Sequence, residues 1–438
     1  MADQTLTIRQ GRVIDPSQGL DEIADVTIRD GKVAEIGKAA GRGGEHIDAS
    51  GKIVCPGLID MHVHLREPGN EDAETIASGS AAAVAGGFTS IVCMPNTQPA
   101  VDTEAMIEFV YRQAARANLC NVYPVGALTK GRAGKELAEI GQMVRAGAVG
   151  FSDDGRGVAS SVVMLRVMQY VAMFGKTIIQ HCEDPDLTEG GSMNAGLTST
   201  RLGLPGIPAV AEEIMLQRDL LLAKNTHCRY HAAHISTAGG VELVREAKKR
   251  GLAVTAEVCP HHLLLTEECV GESEYDTNYK VQPPLRTRKD VEACIAGVVD
   301  GTIDCLATDH APHGREEKEL DFQNAPFGIN SLEIAVGLFA KALIDSRKLD
   351  WPALIGKMTI GPAKTLGLKK GTLVTGCDAD VTIIDPEANW TVEVANFRSR
   401  SRNCPYDGWA LRARVTHTIV GGTTRYSLRN SGPAAVSR

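Results

Sequence analysis

Hydrophobic and polar positions alternate with a period of two near both ends of the chain. Such runs stand in LTIRQGRVID, ADVTIRDGKVAEIG and EHIDASGKIVCPG near the start, and in GTLVTGCDADVTIIDP and LRARVTHTIVGGTTRYS near the end. This alternation is typical of half-buried strands, and the Asp30-Gly31 pair between two runs predicts a hairpin turn. We therefore predict one composite β domain built from both termini, residues 1–56 and 371–438.

Between these regions, apolar runs of strand length alternate with longer segments of helical period. This order is typical of βα units around a parallel sheet, and helices are predicted at 73–86, 103–117 and 240–250. The predicted strands are Gly57–Leu65, Phe88–Met94, Asn121–Val125, Ala148–Ser152, Thr177–His181, Arg229–His234, Ala253–Val258 and Ile303–Thr308. Eight strands close a barrel. We predict an α/β fold with a (β/α)8 barrel over residues 57–370.

Four histidines lie at the carboxyl ends of predicted strands, where the catalytic groups of such barrels are found. His62 and His64 stand at i and i+2 in DMHVH, so both imidazoles face one side of a strand. His181 ends TIIQH, and His234 ends RYHAAH. A lone histidine in such a place is more often a hydrogen-bonded core residue, but four at equivalent ends favour a metal site. His231 points to the opposite face from His234 and is interpreted as packing.

Carboxylates accompany these histidines. Asp309 ends the last predicted strand, where an acidic side chain is costly unless it is paired or bound to metal. Asp153 and Asp154 in FSDDG would raise each other's pKa unless a cation neutralises them. Imidazole and carboxylate ligands suit zinc, or else cobalt or manganese, and a bridging carboxylate would hold two metals roughly 3.5–4 Å apart. We predict two divalent metal ions, with zinc as the first choice.

Composition narrows the class of protein. With 46 basic and 54 acidic residues the net charge is −8, which argues against a nucleic-acid partner. No apolar run reaches membrane-spanning length and the first residues lack a secretion signal, so we expect a cytoplasmic protein without a membrane partner. The eleven cysteines show no CxxC pairing and are interpreted as reduced thiols. The charged segment 310–328 predicts a long loop over the barrel mouth, a candidate mobile lid.

Eight motifs in a fixed order resemble those of dihydroorotases in the amidohydrolase superfamily: DMHVHLREPG, MPNT, FSDDG, HCED, AHIS, EVCPHHLLL, PPLR and ATDHAPH. They span residues 58 to about 328. The resemblance implies reversible cyclisation of N-carbamoyl-L-aspartate to L-dihydroorotate, the third step of pyrimidine synthesis. It also implies that a hydroxide bridging the metals attacks the ring amide carbonyl, with Asp309 as general acid and base.

The resemblance assigns six metal ligands: His62, His64, Asp154, His181, His234 and Asp309. The first two histidines and Asp309 would hold the more buried metal, and the other two histidines the second. The bacterial-type branch uses a bridging aspartate, and the second acid of FSDDG matches it, so Asp154 is assigned as the bridge with Asp153 as the alternative. Many relatives, including hydantoinases, use a carboxylated lysine instead, but GAVGFSDDGRG contains no lysine.

The substrate-binding residues implied by the resemblance are His64, Arg66, Asn96, Gln282, His313, Phe327 and Gly328. Arg66 in HLREPG would grip the substrate carboxylate, with Asn96 in MPNT as its second partner. Each also has a plainer interpretation, a surface ion pair for Arg66 and a turn cap for Asn96. Gln282 departs from the asparagine that many relatives carry before PPLR. Either the pocket adjusts to the longer side chain, or this contact and the substrate affinity differ.

Two other functions stay open at this point. One is another cyclic amidase, such as an allantoinase or hydantoinase, although Arg66 and the missing lysine weigh against it. The other is a non-catalytic homologue that serves as a scaffold for aspartate transcarbamoylase, which we would expect to have lost metal ligands. As partners we expect the small-molecule substrate and a second copy in a homodimer, with a transcarbamoylase complex as an alternative. Cys182, His261 and His262 are interpreted as structural, because the ligand set is complete without them.

Overall fold

The computed structural model describes residues 5–37 and 45–428. Its strands are β1 (Thr5–Asp15), β2 (Leu20–Arg29), β3 (Lys32–Gly37), β4 (Glu45–Asp48), β5 (Ile53–Pro56), β6 (Leu58–Val63), β7 (Phe88–Cys93), β8 (Asn121–Pro124), β9 (Gly150–Phe151), β10 (Thr177–Gln180), β11 (Met193–Asn194), β12 (Gly206–Ile207), β13 (Arg229–Ala232), β14 (Val254–Val258), β15 (Cys305–Leu306), β16 (Val381–Thr391), β17 (Ala410–Val420) and β18 (Thr423–Ser427).

Its α-helices are α1 (Ile76–Ala85), α2 (Glu104–Ala117), α3 (Ile140–Ala146), α4 (Ser161–Ala172), α5 (Pro185–Thr188), α6 (Leu197–Leu202), α7 (Val210–Thr226), α8 (Ala238–Lys249), α9 (Pro260–Leu264), α10 (Glu268–Glu272), α11 (Arg288–Val299), α12 (Arg315–Lys318), α13 (Ala335–Phe339), α14 (Trp351–Met358) and α15 (Ile360–Leu366). The three predicted helices correspond to α1, α2 and α8.

Eight parallel strands of the middle region correspond to the eight predicted ones. They form two sheets, β6-β7-β8 and β9-β10-β13-β14-β15. Isolated parallel bridges connect the sheets at both edges, between Gly126 and Phe151 and between Val63 and His310. The predicted α/β class is confirmed, with each strand shorter than predicted by one to four residues at its ends.

The parallel strands are buried on both faces. Every residue of β6 and β7 is buried, as expected for parallel strands that are covered by helices on one side and by neighbouring strands on the other. One apolar cluster collects side chains from different strands, including Met61, Val92, Ile179 and Cys305. This apolar layer separates the inner part of the parallel-strand region from the polar side chains near the carboxyl ends of the strands, such as His62 at the end of β6.

The second sheet draws on both ends of the chain, in the order β18-β17-β16-β5-β1-β2-β3, with β4 beside β1. Its join is the antiparallel pairing of β5 with β16. Ile8, Val26, Val54, Val381 and Ile419 form part of its apolar core. A sheet shared by the two termini is what the alternating patterns predicted. The domain boundaries at 56 and 370 stay a prediction, and residues 1–4, 38–44 and 429–438 lie outside the described residues.

The interpretation of the cysteines is also supported. All eleven are free, and most are buried. Across residues 5–37 and 45–428, no helix combines the length and the apolar character that crossing a bilayer requires.

Close packing of β6 against β7 gives a first test. A Cβ on Gly57 would lie 2.0 Å from Oγ1 of the buried Thr89 and 2.6 Å from its Cβ, so we expect Gly57→Ala to lower the free energy of unfolding by about 1–3 kcal/mol through overpacking. Gly37→Ala is the control, because a Cβ there meets nothing within 4 Å. Urea denaturation followed by circular dichroism measures both, and equal stability of the two variants would contradict this packing.

Candidate metal centre and active site

The six predicted metal ligands converge at the carboxyl ends of the parallel strands, with His62 among the last residues of β6 and the other five just past β6, β9, β10, β13 and β15. None is more than 5% exposed: His62, His64, Asp154, His181, His234 and Asp309. Two of them, together with Arg66, are non-glycine residues with positive φ, 32° at His234, 47° at Asp309 and 59° at Arg66. Such conformations cost roughly 1–3 kcal/mol each and concentrate at functional sites, where the surrounding structure enforces them.

Asp154 lies among three of the histidines. Its Oδ1 is 3.3 Å from His62 Nε2 and 3.8 Å from His234 Nε2, and its Oδ2 is 3.6 Å from His64 Nε2. The Oδ1 atom of Asp309 lies 2.9 Å from His64 Nε2 and 3.5 Å from His62 Nε2. Asp154 therefore contacts histidines of both predicted metal positions, which is the placement that a bridging ligand needs.

The fourth histidine completes the group. His181 Nδ1 lies 3.0 Å from His234 Nε2, with the ring centroids 4.7 Å apart. These two nitrogens belong to the pair that was predicted to share the second metal. His181 Nδ1 carries no proton when Nε2 donates to Glu183, so its lone pair faces His234 and is available to the cation predicted for this pair.

Both carboxylate oxygens of Asp153 accept hydrogen bonds outside the histidine cluster. Its Oδ1 accepts hydrogen bonds from the backbone amides of Leu128 and Thr129, at 2.8 and 3.1 Å, and its Oδ2 accepts one from the Thr129 hydroxyl. These bonds hold the segment after β8. They account for both oxygens, so the structure favours Asp154 over the alternative Asp153 as the bridging carboxylate.

Each of three histidines has an acceptor behind it. The acceptors are Glu257 for His62 Nδ1 (2.6 Å), Asn96 Oδ1 for His64 Nδ1 (2.9 Å) and Glu183 for His181 Nε2 (3.1 Å). A carboxylate or amide oxygen accepts, so the nitrogen facing it carries the proton. The other ring nitrogen then presents a lone pair to the site, which is how metal-binding histidines are usually held.

The donor chemistry fits divalent metals. Within the described ranges, His62 Nε2 and Asp154 Oδ1 are buried without a hydrogen-bond partner. Such atoms are costly unless something else satisfies them. Two triplets of donor atoms each lie within 4.8 Å of one another, one of them His62, His64 and Asp309, the other His62, Asp154 and His234. A metal ion is the partner that satisfies both kinds of donor at once.

The buried charges of the centre shift each other's pKa. Burial alone would raise the pKa of Asp309, but the charge of His62 and the hydrogen bond with His64 outweigh it and hold that pKa well below its usual range. Burial would likewise lower the pKa of His62, but Asp154, Glu257 and Asp309 raise it well above its usual value. Asp309 is therefore held as a carboxylate, the form that accepts a proton.

The predicted carboxylate-binding side chains lie next to this centre. Asn96 gives its Oδ1 to His64, which leaves the two amide hydrogens on Nδ2. Arg66 donates from Nε to the Pro312 carbonyl at 2.9 Å, and its Nη2 lies 3.2 Å from His313 Nε2. Burial lowers the pKa of Arg66, and the charges of nearby Asp309 and Asp154 oppose that shift. Arg66 thus stands beside the metal ligands with part of its guanidinium still uncommitted.

The predicted loop 310–328 contains the single helical turn α12 and is otherwise irregular. Phe327 places its carbonyl 2.8 Å from His313 Nε2. Gly328 is engaged on both sides of its backbone, since its N–H donates to the Lys280 carbonyl at 2.9 Å and its carbonyl accepts from Asn403 Nδ2 at 3.0 Å. A direct substrate contact from the Gly328 backbone would therefore compete with bonds that are already made.

Asn403 is a site-supporting residue that the sequence did not reveal. Its Nδ2 donates to the carbonyls of Ala311 and Gly328, and its Oδ1 accepts from the His313 amide at 3.1 Å. One buried side chain thus joins both ends of the loop that carries His313 and Phe327. Nothing in the local pattern RSRNCP marks this role, because the partners are far away along the chain.

Gln282 lies against Glu183. Burial would raise the pKa of Glu183, but hydrogen bonds and charges of His181 and Arg286, with a hydrogen bond from Gln282, bring it below its usual value. The side chain that departs from the expected asparagine therefore lies behind His181, a predicted metal ligand. A contact between Gln282 and the substrate stays a prediction.

Comparisons with known proteins agree with the motifs. The family described as dihydro-orotase-like matches residues 51–239. A dihydroorotase from Pelotomaculum thermopropionicum is 53% identical over 418 residues, which cover 95% of this chain and 97% of that protein. The chain belongs to the dihydroorotase family. A dihydroorotase from Syntrophus aciditrophicus is 47% identical over 96% of this chain and 99% of that protein.

Solved structures share the fold. An L-hydantoinase (dihydropyrimidinase) from Arthrobacter aurescens is 28% identical with a TM-score of 0.84, over 96% of each chain. A dihydropyrimidinase from Brevibacillus agri has the same TM-score of 0.84 at 22% identity, over 96% of this chain and 95% of that one, and it shows the fold alone. The likeness extends over both the parallel strands and the sheet of the two termini, so both regions belong to the fold of this family.

Glu257 provides a test of the metal centre. It accepts from His62 through Oε1 and lies 3.1 Å from His231 Nε2 through Oε2. In Glu257→Gln the charge behind His62 is lost and an amide NH2 faces a ring nitrogen, so we expect metal affinity to fall about 10- to 100-fold. Competition with a zinc chelator measures it. Glu242→Gln, an exposed change on α8, is the control, and unchanged affinity in Glu257→Gln would contradict the orienting role.

Proposed function

We propose that this chain catalyses the reversible cyclisation of N-carbamoyl-L-aspartate to L-dihydroorotate, in the cytoplasm. The observation that carries the proposal is a buried cluster of imidazoles and carboxylates beside Arg66, in a chain that is 53% identical over 95% of its length to a dihydroorotase. The chain is a metal-dependent cyclic amide hydrolase of pyrimidine biosynthesis. A carboxylate-binding arginine beside the centre favours this substrate over hydantoins, which carry no carboxylate.

The six residues His62, His64, Asp154, His181, His234 and Asp309 would hold two divalent ions, zinc before cobalt or manganese. When bound, such ions polarise an amide carbonyl and activate water at neutral pH. The proposal also takes the eight parallel strands as one closed barrel. The two parallel bridges that connect the sheets at both edges support this closure.

Arg66 and Asn96 orient the substrate. The guanidinium would bind the carboxylate in a charge-assisted pair, and the Asn96 Nδ2 would donate to the same group, since its Oδ1 is held by His64. Because both side chains flank the histidine cluster, the carboxylate anchor fixes the distance from the ring amide to the metal ligands. His313 and the Phe327 backbone would limit the pocket on the side of the 310–328 loop.

Asp309 carries the proton. In the hydrolytic direction its carboxylate accepts a proton from the attacking water and delivers it to the leaving amide nitrogen. In the synthetic direction the protonated carboxyl returns that proton as water leaves. Ring closure consumes one proton overall, so the equilibrium shifts toward dihydroorotate as the pH falls. The homodimer and the complex with aspartate transcarbamoylase stay predictions.

The role of Asp309 is tested by replacement. We expect Asp309→Ala to reduce turnover in both directions by at least about 10³-fold, because the general acid-base group is lost together with a metal ligand. Turnover is assayed with each substrate, and metal content is measured on the same samples. Asp321→Ala, an exposed change in the 310–328 loop, is the control. If Asp309→Ala kept more than about a tenth of the wild-type activity, Asp309 could not be the general acid-base group.

The role of Arg66 is tested by its effect on KM. A lost charged hydrogen-bond partner costs about 1.5–3 kcal/mol, so we expect Arg66→Met to raise KM for N-carbamoyl-L-aspartate about 10- to 100-fold. The exposed Arg400→Met is the matched control. If KM were unchanged in Arg66→Met, the substrate carboxylate would have to bind elsewhere.

A further inference from the structure

A second group of metal-type donors lies at the carboxyl end of β14, in Cys259-Pro260-His261-His262. One donor atom each from Cys259, His261 and His262 lies within 4.8 Å of the other two. All three side chains are buried, none more than 2% exposed. Zinc bonds of about 2.0–2.3 Å space tetrahedral donors roughly 3.5 Å apart, so a small contraction of this cluster forms a site. The cluster shares no residue with the six ligands described above.

Three ring nitrogens in this cluster lack a partner. Both nitrogens of His261 and Nδ1 of His262 form no hydrogen bond within the part of the chain that the structure describes. A buried polar nitrogen without a hydrogen-bond partner is destabilising, so a histidine that served only as packing would be a poor choice at position 261. A metal ion bound by one nitrogen of His261 and by Nδ1 of His262 removes that cost for two of the three nitrogens.

His262 is oriented as a metal ligand is. Its Nε2 lies 3.0 Å from the Pro283 carbonyl, which can only accept, so Nε2 carries the proton and Nδ1 presents a lone pair. Metal-binding histidines are commonly held in this way by a backbone carbonyl. Burial also lowers the pKa of His261 to about 4 and that of His262 well below its usual value, so both rings are neutral.

Cys259 lies near several carboxylates, whose charges act on its thiol. Burial, with the charges of Asp309, Glu257 and Asp60, raises the pKa of its thiol well above the usual value. The same field that disfavours a free thiolate attracts a cation, and a bound cation in turn displaces the thiol proton. Glu257 belongs to neither ligand set and its pKa is lowered to about 2, so its negative charge offsets repulsion between an added cation and the neighbouring binuclear centre.

We propose that Cys259, His261 and His262 bind a third metal ion, zinc, through one thiolate and two neutral imidazoles. Binding releases the thiol proton to solvent and changes no oxidation state. The ion would fix the end of β14 to α9 beside Asp309. The proposal does not depend on the function proposed above, because the donor set and the unpartnered nitrogens stand by themselves.

Cobalt spectroscopy separates this site from the binuclear centre, whose six ligands offer only nitrogen and oxygen. Metal-free protein, kept reduced and anaerobic, is titrated with cobalt(II). We expect a near-ultraviolet thiolate-to-cobalt charge-transfer band that saturates at one equivalent per chain. Absence of that band in wild-type protein saturated with cobalt would overturn the proposal, whatever the behaviour of any variant.

Two cysteine variants then assign the thiolate. Cys259→Ser should lose the band and one equivalent of bound zinc, measured by elemental analysis of the zinc-loaded protein. Cys182→Ser is the matched control, since Cys182 is also buried and directly follows the predicted ligand His181. This variant should keep both the charge-transfer band and the full amount of bound zinc. The reverse result would place the thiolate at Cys182 and overturn the assignment.

X-ray absorption on the native zinc protein covers the case in which Cys259→Ser does not fold. We expect a zinc–sulfur shell at about 2.3 Å, contributed by one of the three zinc ions in each chain. A spectrum that contains only nitrogen and oxygen neighbours would refute the third site.

Discussion

Negative charge buried at the ends of the parallel strands is the constraint on which the rest of the site depends. Asp60, Asp154, Glu257 and Asp309 are each at most 5% exposed, and an isolated carboxylate in such surroundings is strongly disfavoured. The imidazoles around them supply part of the compensation. Glu257 illustrates it, since burial would raise its pKa but the charges and hydrogen bonds of His62 and His231 bring it to about 2. Metal cations would neutralise the remaining negative charge. The same cations would then serve the hydrolysis of the cyclic amide.

The same carboxylates connect the strands. Asp60 accepts from the Thr308 hydroxyl at 2.6 Å and from the backbone amides of His62 and Thr308 at 3.1 and 3.2 Å. This side chain therefore joins β6 to the residues after β15 and brings His62 next to Asp309. Its hydrogen bonds do not offset the desolvation completely, because burial still raises the pKa of Asp60 to about 7. This cost accompanies the placement of His62 Nε2 within 3.5 Å of Asp309 Oδ1.

The sequence alone allowed the strands and the four clustered histidines to be predicted, because both depend on local patterns. A buried parallel strand is a short apolar run, and a polar residue at its end stands out against that run, as His62 and His181 do. The choice between Asp153 and Asp154 required hydrogen bonds to the segment after β8. Asn403 and the contact of Gln282 with Glu183 could not be predicted, since their partners lie 75 to 99 residues away along the chain. His261 was interpreted as structural because the predicted ligand set is complete without it, and its unpartnered nitrogens are visible only in three dimensions.

Asn403 has one further consequence. It lies between β16 and β17, yet its amide holds the two ends of the 310–328 loop. The segment that connects two strands of the terminal sheet is thus coupled to the loop that carries His313. A chimaera that exchanged the carboxyl-terminal strands between relatives would also exchange this clamp. Recombination in this family should therefore favour breakpoints that keep the loop and its asparagine from the same parent.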